Sequence, residues 1–300
     1  MNLSGLLHVA AGLGLAPLLP GLINKIKAAV AGRQGPPVLQ LYYDLAKLAR
    51  KGAVYSATTS WLFRAGPVVG LAAVAACLFL VPLGGHPATL GFAGDFILAI
   101  YLLGLARFFL VAAAMDTGSS FEGMGASREV FFSALAEPAL LLSLAALAHA
   151  TDATSLSVML PRVTTALWLR AAPALVLLLV ALFLVLLAEN ARIPVDDPNT
   201  HLELTMIHEV MALDHSGPDF ALVLYAAALK LWLFAALVAN LLPAHAGLGT
   251  LTGLLTIFFV AALVGVVESA MARLRLSRVP QLLLGAAALT LVSFLLLANG

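Results

Sequence analysis

The chain has 300 residues, 62% of them hydrophobic and only 10% charged, with 16 basic and 15 acidic side chains and a formal net charge of +1. A soluble domain averages roughly 45–50% apolar and about 25% charged residues, so a water-soluble surface is excluded. The balanced charge gives no footprint for nucleic acid, and the one cysteine, Cys77, excludes an internal disulfide or a cysteine-held iron–sulfur centre.

A helix needs roughly 20 apolar residues to cross about 30 Å of hydrocarbon. Eight stretches meet that length, at about 3–24, 65–84, 95–115, 131–149, 170–188, 220–242, 251–270 and 281–298. The alternating segments that mark an outer-membrane barrel are absent. The expected fold class is all-α, a polytopic bundle of about eight transmembrane helices forming one integral domain over residues 1–300.

Orientation follows from the positions of Lys and Arg between the spans. Lys25, Lys27, Arg33, Lys47, Arg50, Lys51, Arg64, Arg128, Arg192, Arg273, Arg275 and Arg278 all fall on one side. The other side holds Arg162 and Arg170, while Arg107 and Lys230 lie within spans. The basic side is expected to be cytoplasmic, with both termini outward. The first span is expected to stay uncleaved, because its basic residues follow the apolar run instead of preceding it.

The outward loops, Gly85–Gly94, Ala150–Leu169 and Pro243–Thr250, are short and carry little chemistry, whereas those at 25–64, 116–130, 189–219 and 271–280 are polar. Function is expected on the polar face. In 25–64, Leu41, Leu45 and Leu48 recur at helical spacing with Asp44, Lys47 and Lys51 on the other flank, which predicts an amphipathic helix at the interface. A purely topogenic basic loop is the simpler reading of the same stretch. In 116–130, Gly118, Gly123 and Gly125 with neighbouring serines favour tight turns, and no strand precedes them to make a nucleotide fingerprint.

Loop 189–219 carries seven acids from Glu189 to Asp219 against one Arg192. Asp197, Asn199 or Thr200 could cap a helix starting near residue 199, which would set His201, His208 and His215 on one face at seven-residue intervals. The His-Glu-x-x-His zinc spacing is not met, because position 212 is Ala. A polar face that meets a partner protein is preferred to a metal site.

Charges at membrane depth are costly, by about 2.5 kcal/mol or more, and each needs a reason. Arg107 falls mid-span in the third helix, Glu137 in the fourth and Lys230 in the sixth, with Glu189 closing the fifth and Glu268 near the end of the seventh. Simple pairing of Glu137 with Arg107 or Lys230 is one explanation. A proton relay is the other, since carboxylates beside a lysine in low dielectric can pass protons. Glu189 and Glu268 are close enough to the interface to snorkel.

Several runs carry a family resemblance over essentially the whole chain. They are Gly35-Pro36-Pro37 with Gln40, Asp44 and Lys47, the Asp116–Arg128 loop, and Glu189-Asn190-Ala191-Arg192-Ile193-Pro194-Val195-Asp196-Asp197-Pro198. His201-Leu202-Glu203-Leu204-Thr205, Asp214-His215-Ser216-Gly217, Glu268-Ser269 and Ala272-Arg273-Leu274-Arg275 complete the match. In these the chain resembles the membrane-anchor subunits of formate hydrogenlyase and hydrogenase-4, within the wider complex I family of NADH-quinone oxidoreductase subunit 1.

The resemblance implies a non-catalytic subunit in the cytoplasmic membrane of a bacterium or archaeon. Such a subunit docks a soluble arm onto antiporter-like membrane subunits and helps couple electron transfer to proton or sodium movement. The partners implied are hydrogenase large- and small-subunit-like proteins and an iron–sulfur protein, which carry the [NiFe] centre and the clusters; this chain itself holds no cofactor. Glu137 and Glu203 match family acids of the charged path, joined here by Lys230, Glu268, Glu189 and Arg107. The docking loops would be served by Arg33, Gln40, Asp44, Lys47, Arg128, Arg192, Asp196, Asp197, His201, His208, Asp214, His215, Arg273 and Arg275. Quinone-reducing members typically carry Glu-Ala-Glu where this chain has Asn199, Thr200 and His201 in a longer loop. That departure favours the hydrogenase branch, with a quinone-site subunit as the alternative. Two other classes compete: a free-standing ion transporter, and a polyprenyl-transferase-like enzyme using Asp196-Asp197 to hold magnesium diphosphate.

Overall fold

The computed structural model describes residues 3–197, 206–242 and 249–299. In chain order its helices are α1 (Leu3–Leu15), α2 (Leu18–Val30), α3 (Gln40–Ala49), α4 (Trp61–Leu78), α5 (Asp95–Asp116), α6 (Ser120–Thr151), α7 (Leu156–Met159), α8 (Thr165–Glu189), α9 (Gly217–Leu241), α10 (Gly249–Ala270) and α11 (Val279–Ala298). No strand forms among the described residues. Among the described residues, seven helices are long and apolar enough to cross a membrane: α4, α5, α6, α8, α9, α10 and α11. The chain is a multi-pass membrane protein.

The span expected at 3–24 is broken into α1 and α2, which meet at a 53° bend. Pro17 is the cause, because it has no N–H to continue the helical ladder. The carbonyls of Leu13 and Gly14, left without helical partners, accept hydrogen bonds from two tyrosines instead. Tyr225 on α9 donates to Leu13 O at 2.6 Å, and Tyr42 on α3 donates to Gly14 O. A broken helix survives at membrane depth when side chains satisfy its backbone in this way.

The stretch 116–130 departs from the turn-rich loop expected of its glycines. Only Thr117–Ser119 interrupts the helices, and α6 then runs for 32 residues. At about 1.5 Å per residue it is about 48 Å long, well beyond the hydrocarbon thickness. Its glycines serve packing: a Cβ on Gly125 would collide with Val210 and lie 3.0 Å from Ile207 O. The interfacial helix read at Leu41, Leu45 and Leu48 is present as α3, and it packs on α9 and α2.

The helix expected near residue 199 begins among residues that are not described, and its described part is not α-helical. Residues 206–216 form loop and one 3-10 turn, Glu209–Ala212, so His208 and His215 do not share a helix face. His201 and Glu203 lie outside the described residues. The stretch Ala150–Leu169 is also more than a plain connection, since Leu156, Met159 and Leu160 are fully buried in the core.

Helix α9 is the hub, packed against α3, α4, α8 and α10, with Trp232 and Phe234 buried at its centre. Around it, α5 packs on α4, α10 on α2, and α11 on both α6 and α8. Lipid gives helices no hydrophobic reason to associate, so close packing and polar contacts hold such a bundle together. Most of the basic residues gather at one end of it, where loop residues are bonded across helices, Ser60 N–H to Asp116 at 2.6 Å and Val54 N–H to Ser216 at 3.0 Å.

A buried charge network as candidate functional site

Four helices bring ionisable side chains to one place. Arg107 on α5 donates through Nη2 to both oxygens of Glu189 on α8, at 2.7 and 2.6 Å. Its Nη1 donates to Glu137 on α6, and its Nε lies 3.4 Å from Glu129, which precedes Glu137 on the same helix. Lys230 on α9 places Nζ 2.8 Å from Glu189 Oε2. His208, from the loop before α9, lies 3.9 Å from Glu129 through Nδ1.

Side chains of Glu189 and Arg107 are 3% and 8% exposed, so these charges are held inside the protein. Removing such groups from water costs several kcal/mol each, and only mutual pairing with good geometry offsets that. Glu189 therefore does not snorkel to the interface. It is the hub on which Arg107 and Lys230 converge. Glu137 differs from the rest, since 41% of its side chain is exposed on the flank of the bundle at the middle of α6.

A second network lies nearer the basic end. Glu268 on α10 has no exposed side chain and pairs with Lys27 on α2 at 2.8 Å and with Arg192 at 3.6 Å. It too is buried and paired instead of snorkelling. Asp196 accepts the backbone N–H groups of Ile207 at 3.0 Å and His208 at 3.3 Å, and pairs with Arg273 at 2.8 Å. Among the described residues, Asp196 is thus engaged by backbone N–H groups and by Arg273.

Between the two networks lies a cavity of about 320 Å³. Glu189 and Lys230 form one wall, Arg192 and Asn24 another, and Asp44 and His208 contribute polar groups from α3 and the loop before α9. A water needs only about 10–15 Å³ of such space and two to four polar partners. The cavity can hold many.

Loop 206–216 is tied down at several points. Arg128 donates to Met206 O at 2.9 Å, and Glu122 accepts Asp214 N–H at 2.9 Å. His215 stacks on Phe63 with ring centroids 4.0 Å apart, and burial holds its imidazole below the ordinary value. Ser216 Oγ accepts the N–H of Val54 at 3.0 Å. Gly217 has φ of +54° and sits so close to the carbonyls of Gly52 and Lys51 that a Cβ there would collide with them. Tyr55 bonds to Asp219, which raises the phenol above its usual range.

The described residues expected to serve docking range from exposed to buried. Arg33, Lys47, Asp214 and Arg275 are exposed at the basic end. Gln40 bonds its helix neighbour Asp44 at 3.0 Å, and Asp197 donates its N–H to Asp196. Arg192, Asp196 and His215 are buried within the chain. Two network members, Glu129 and Lys27, carried no assignment on the sequence. The spacing Glu122, Glu129, Glu137 was the available signal, for it places acids along one helix once α6 is known to start at Ser120. Among the described residues, no three His, Cys, Asp or Glu side chains are grouped to hold a metal ion.

Residues 4–298 match the family described as NADH dehydrogenase. The chain is 32% identical to formate hydrogenlyase subunit 4 of Escherichia coli (strain K12) over 281 residues, 89% of either chain. It is 34% identical to hydrogenase-4 component C of the same strain over 230 residues, 76% of this chain and 71% of that one. Its fold matches a chain of the membrane-bound sulfane sulfur reductase, an archaeal respiratory membrane complex, with a TM-score of 0.79 and 21% identity over 97% of this chain and 98% of the other.

Proposed function

The chain belongs to the NADH dehydrogenase family, and from that premise we propose that it is a non-catalytic membrane subunit of an energy-converting [NiFe]-hydrogenase complex. In this reading the complex is of the formate hydrogenlyase and hydrogenase-4 kind. The basic end faces the cytoplasm and receives the soluble arm, whose hydrogenase-like and iron–sulfur proteins hold the nickel–iron centre and the clusters. Antiporter-like subunits adjoin the bundle in the membrane, and the chain passes protons or sodium-linked charge to them.

One observation carries this reading. The Arg107–Glu189–Lys230 network meets the cavity at Glu189 and Lys230 and reaches the flank of the bundle at Glu137. A carboxylate half-exposed at membrane depth is expensive unless a neighbouring protein covers it. Charge can then move from water at the basic end to a lateral partner without leaving paired groups. Glu137→Gln in the assembled complex is expected to abolish gradient-linked turnover. Unchanged gradient-linked activity would show that Glu137 is no relay.

Affinity isolation from native membranes in mild detergent tests the assembly. Nickel, iron and antiporter-like subunits in stoichiometric yield are expected. Isolation as a lone polypeptide that moves ions in liposomes would replace this reading with a free-standing transporter. Quinone reduction is the second reading, favoured by the cavity, whose volume of about 320 Å³ is at the small end of ligand pockets. Its walls carry Glu189, Arg192, Lys230 and Asp44 beside apolar side chains such as Leu41, Phe220 and Leu224, and the charged groups suit water and protons.

A further inference from the structure

His208 lies where two cavities meet. The larger, of about 320 Å³, is the one between the two charge networks. The smaller, of about 50 Å³, is a partly open space between α4, α5 and α9, walled by Arg107, Glu129 and Lys230. Both His208 and Lys230 line both spaces. Each space is large enough for water. Lys230 is already engaged, with its Nζ 2.8 Å from Glu189. The imidazole of His208 is 3.9 Å from Glu129, a gap that a small rotation or one water closes.

The surroundings hold the backbone of His208 and leave its ring as the movable part. Its N–H is bound by Asp196, which Arg273 holds in turn, while 22% of the side chain is exposed. Charge balance supplies the motive. Among the described residues, Glu129, Glu137 and Glu189 pair with Arg107 and Lys230, three carboxylates against two cations while His208 is neutral. A proton on His208 balances them. The other charged groups around the two spaces are Asp44 from α3, Arg192 after α8 and Glu209 beside His208 itself.

We propose that His208 is the proton-transfer residue between the water of the larger cavity and Glu129 of the buried network. Imidazole gains and loses protons at physiological pH and carries a nitrogen on each side of the ring. Starting with its proton on Nδ1, the ring takes a second one on Nε2 from a hydrated proton that the cavity water relays from solvent, and Nδ1 releases one to the Glu129 carboxylate. The ring is then neutral with its proton on Nε2; exchange through water restores the Nδ1–H form, and Glu129 returns to carboxylate by passing its proton into the network. The inference deepens the proton-coupling reading above and rests on it.

The test uses the whole complex in proteoliposomes, with proton transfer measured against electron-transfer turnover. His208→Gln keeps size and hydrogen bonding but cannot carry a proton, and a loss of about a hundredfold in coupled proton transfer is expected. His208→Glu is expected to recover much of it with a pH profile displaced to lower pH. His208→Ala is expected to regain transfer when imidazole is added to the medium. Wild-type transfer in His208→Gln overturns the proposal, as does a loss that neither Glu nor imidazole repairs. Glu189→Gln separates the two levels of argument. If it stops proton transfer in a complex that still assembles and turns over electrons, while His208→Gln does not, His208 is no carrier and the coupling reading stands. If neither variant changes proton transfer in an assembled complex, the coupling reading falls and takes this inference with it.

Discussion

Lys230 on α9 and Arg107 on α5 share a single oxygen: Glu189 Oε2 lies 2.8 Å from the ammonium and 2.6 Å from the guanidinium. Two cations that would repel each other are thereby joined by one acid on a third helix. The contact ties α5, α8 and α9 together in the interior of the bundle. It also makes the protonation of Glu189 a matter for both cations at once.

The shared carboxylate gives a stability prediction. Glu189→Gln takes the paired carboxylate from Lys230 and leaves Arg107 with Glu137 and Glu129, and the loss expected is about 3 kcal/mol. Adding Lys230→Met removes the stranded charge, so the double variant is expected to recover part of that loss. Thermal unfolding in detergent for the two single variants and the double one measures the coupling. Strict additivity would show that the pair does not act together.

The break between α1 and α2 gives another. Tyr225→Phe removes the hydroxyl that Leu13 O accepts, and Tyr42→Phe the one that Gly14 O accepts. Each change is expected to cost about 1 kcal/mol. Amide exchange around residues 13–20 should rise in both variants and most in the double. Exchange no faster than in the native chain would show that the tyrosines do not hold the bend.

His215 predicts a pH dependence with a definite sign. Burial lowers its imidazole from the ordinary value of 6.5, so the unfolded chain binds a proton that the folded loop refuses. The stability it contributes is therefore complete above 6.5 and is lost as the pH falls below that value. Unfolding followed from about pH 8 down to about pH 5 should show this loss. His215→Phe keeps a ring on Phe63 and removes the titrating group, so its profile should be flatter over that range.

Much of the fold was legible because the relevant signals are local. The apolar runs at 95–115 and 170–188 became α5 and α8 with ends shifted by only a few residues. Leu41, Leu45 and Leu48 revealed α3 by their spacing alone. The stretch 116–130 misled because Gly and Ser disfavour helix by propensity, while packing of Gly125 beneath Val210 and Ile207 rewards it. The break at Pro17 hid within an unbroken apolar run, since hydropathy does not register a missing N–H.

The candidate site was legible as a set of residues but not as an arrangement. Arg107, Glu137, Glu189 and Lys230 stood out because a charge in an apolar run needs explanation wherever it lies. Glu129 did not, because it sat in what reads as a polar loop.

Composition and periodicity alone determined that this chain crosses the membrane many times, gathers its basic residues at one end and carries charges inside its spans. Those properties follow from transfer energies of residues taken one segment at a time. Which charges meet was decided only by tertiary structure. Glu189 lies 82 residues from Arg107 in the chain, yet their side chains touch. Coulomb energy depends on separation in space and on burial, and both are set by how α5, α6, α8 and α9 pack.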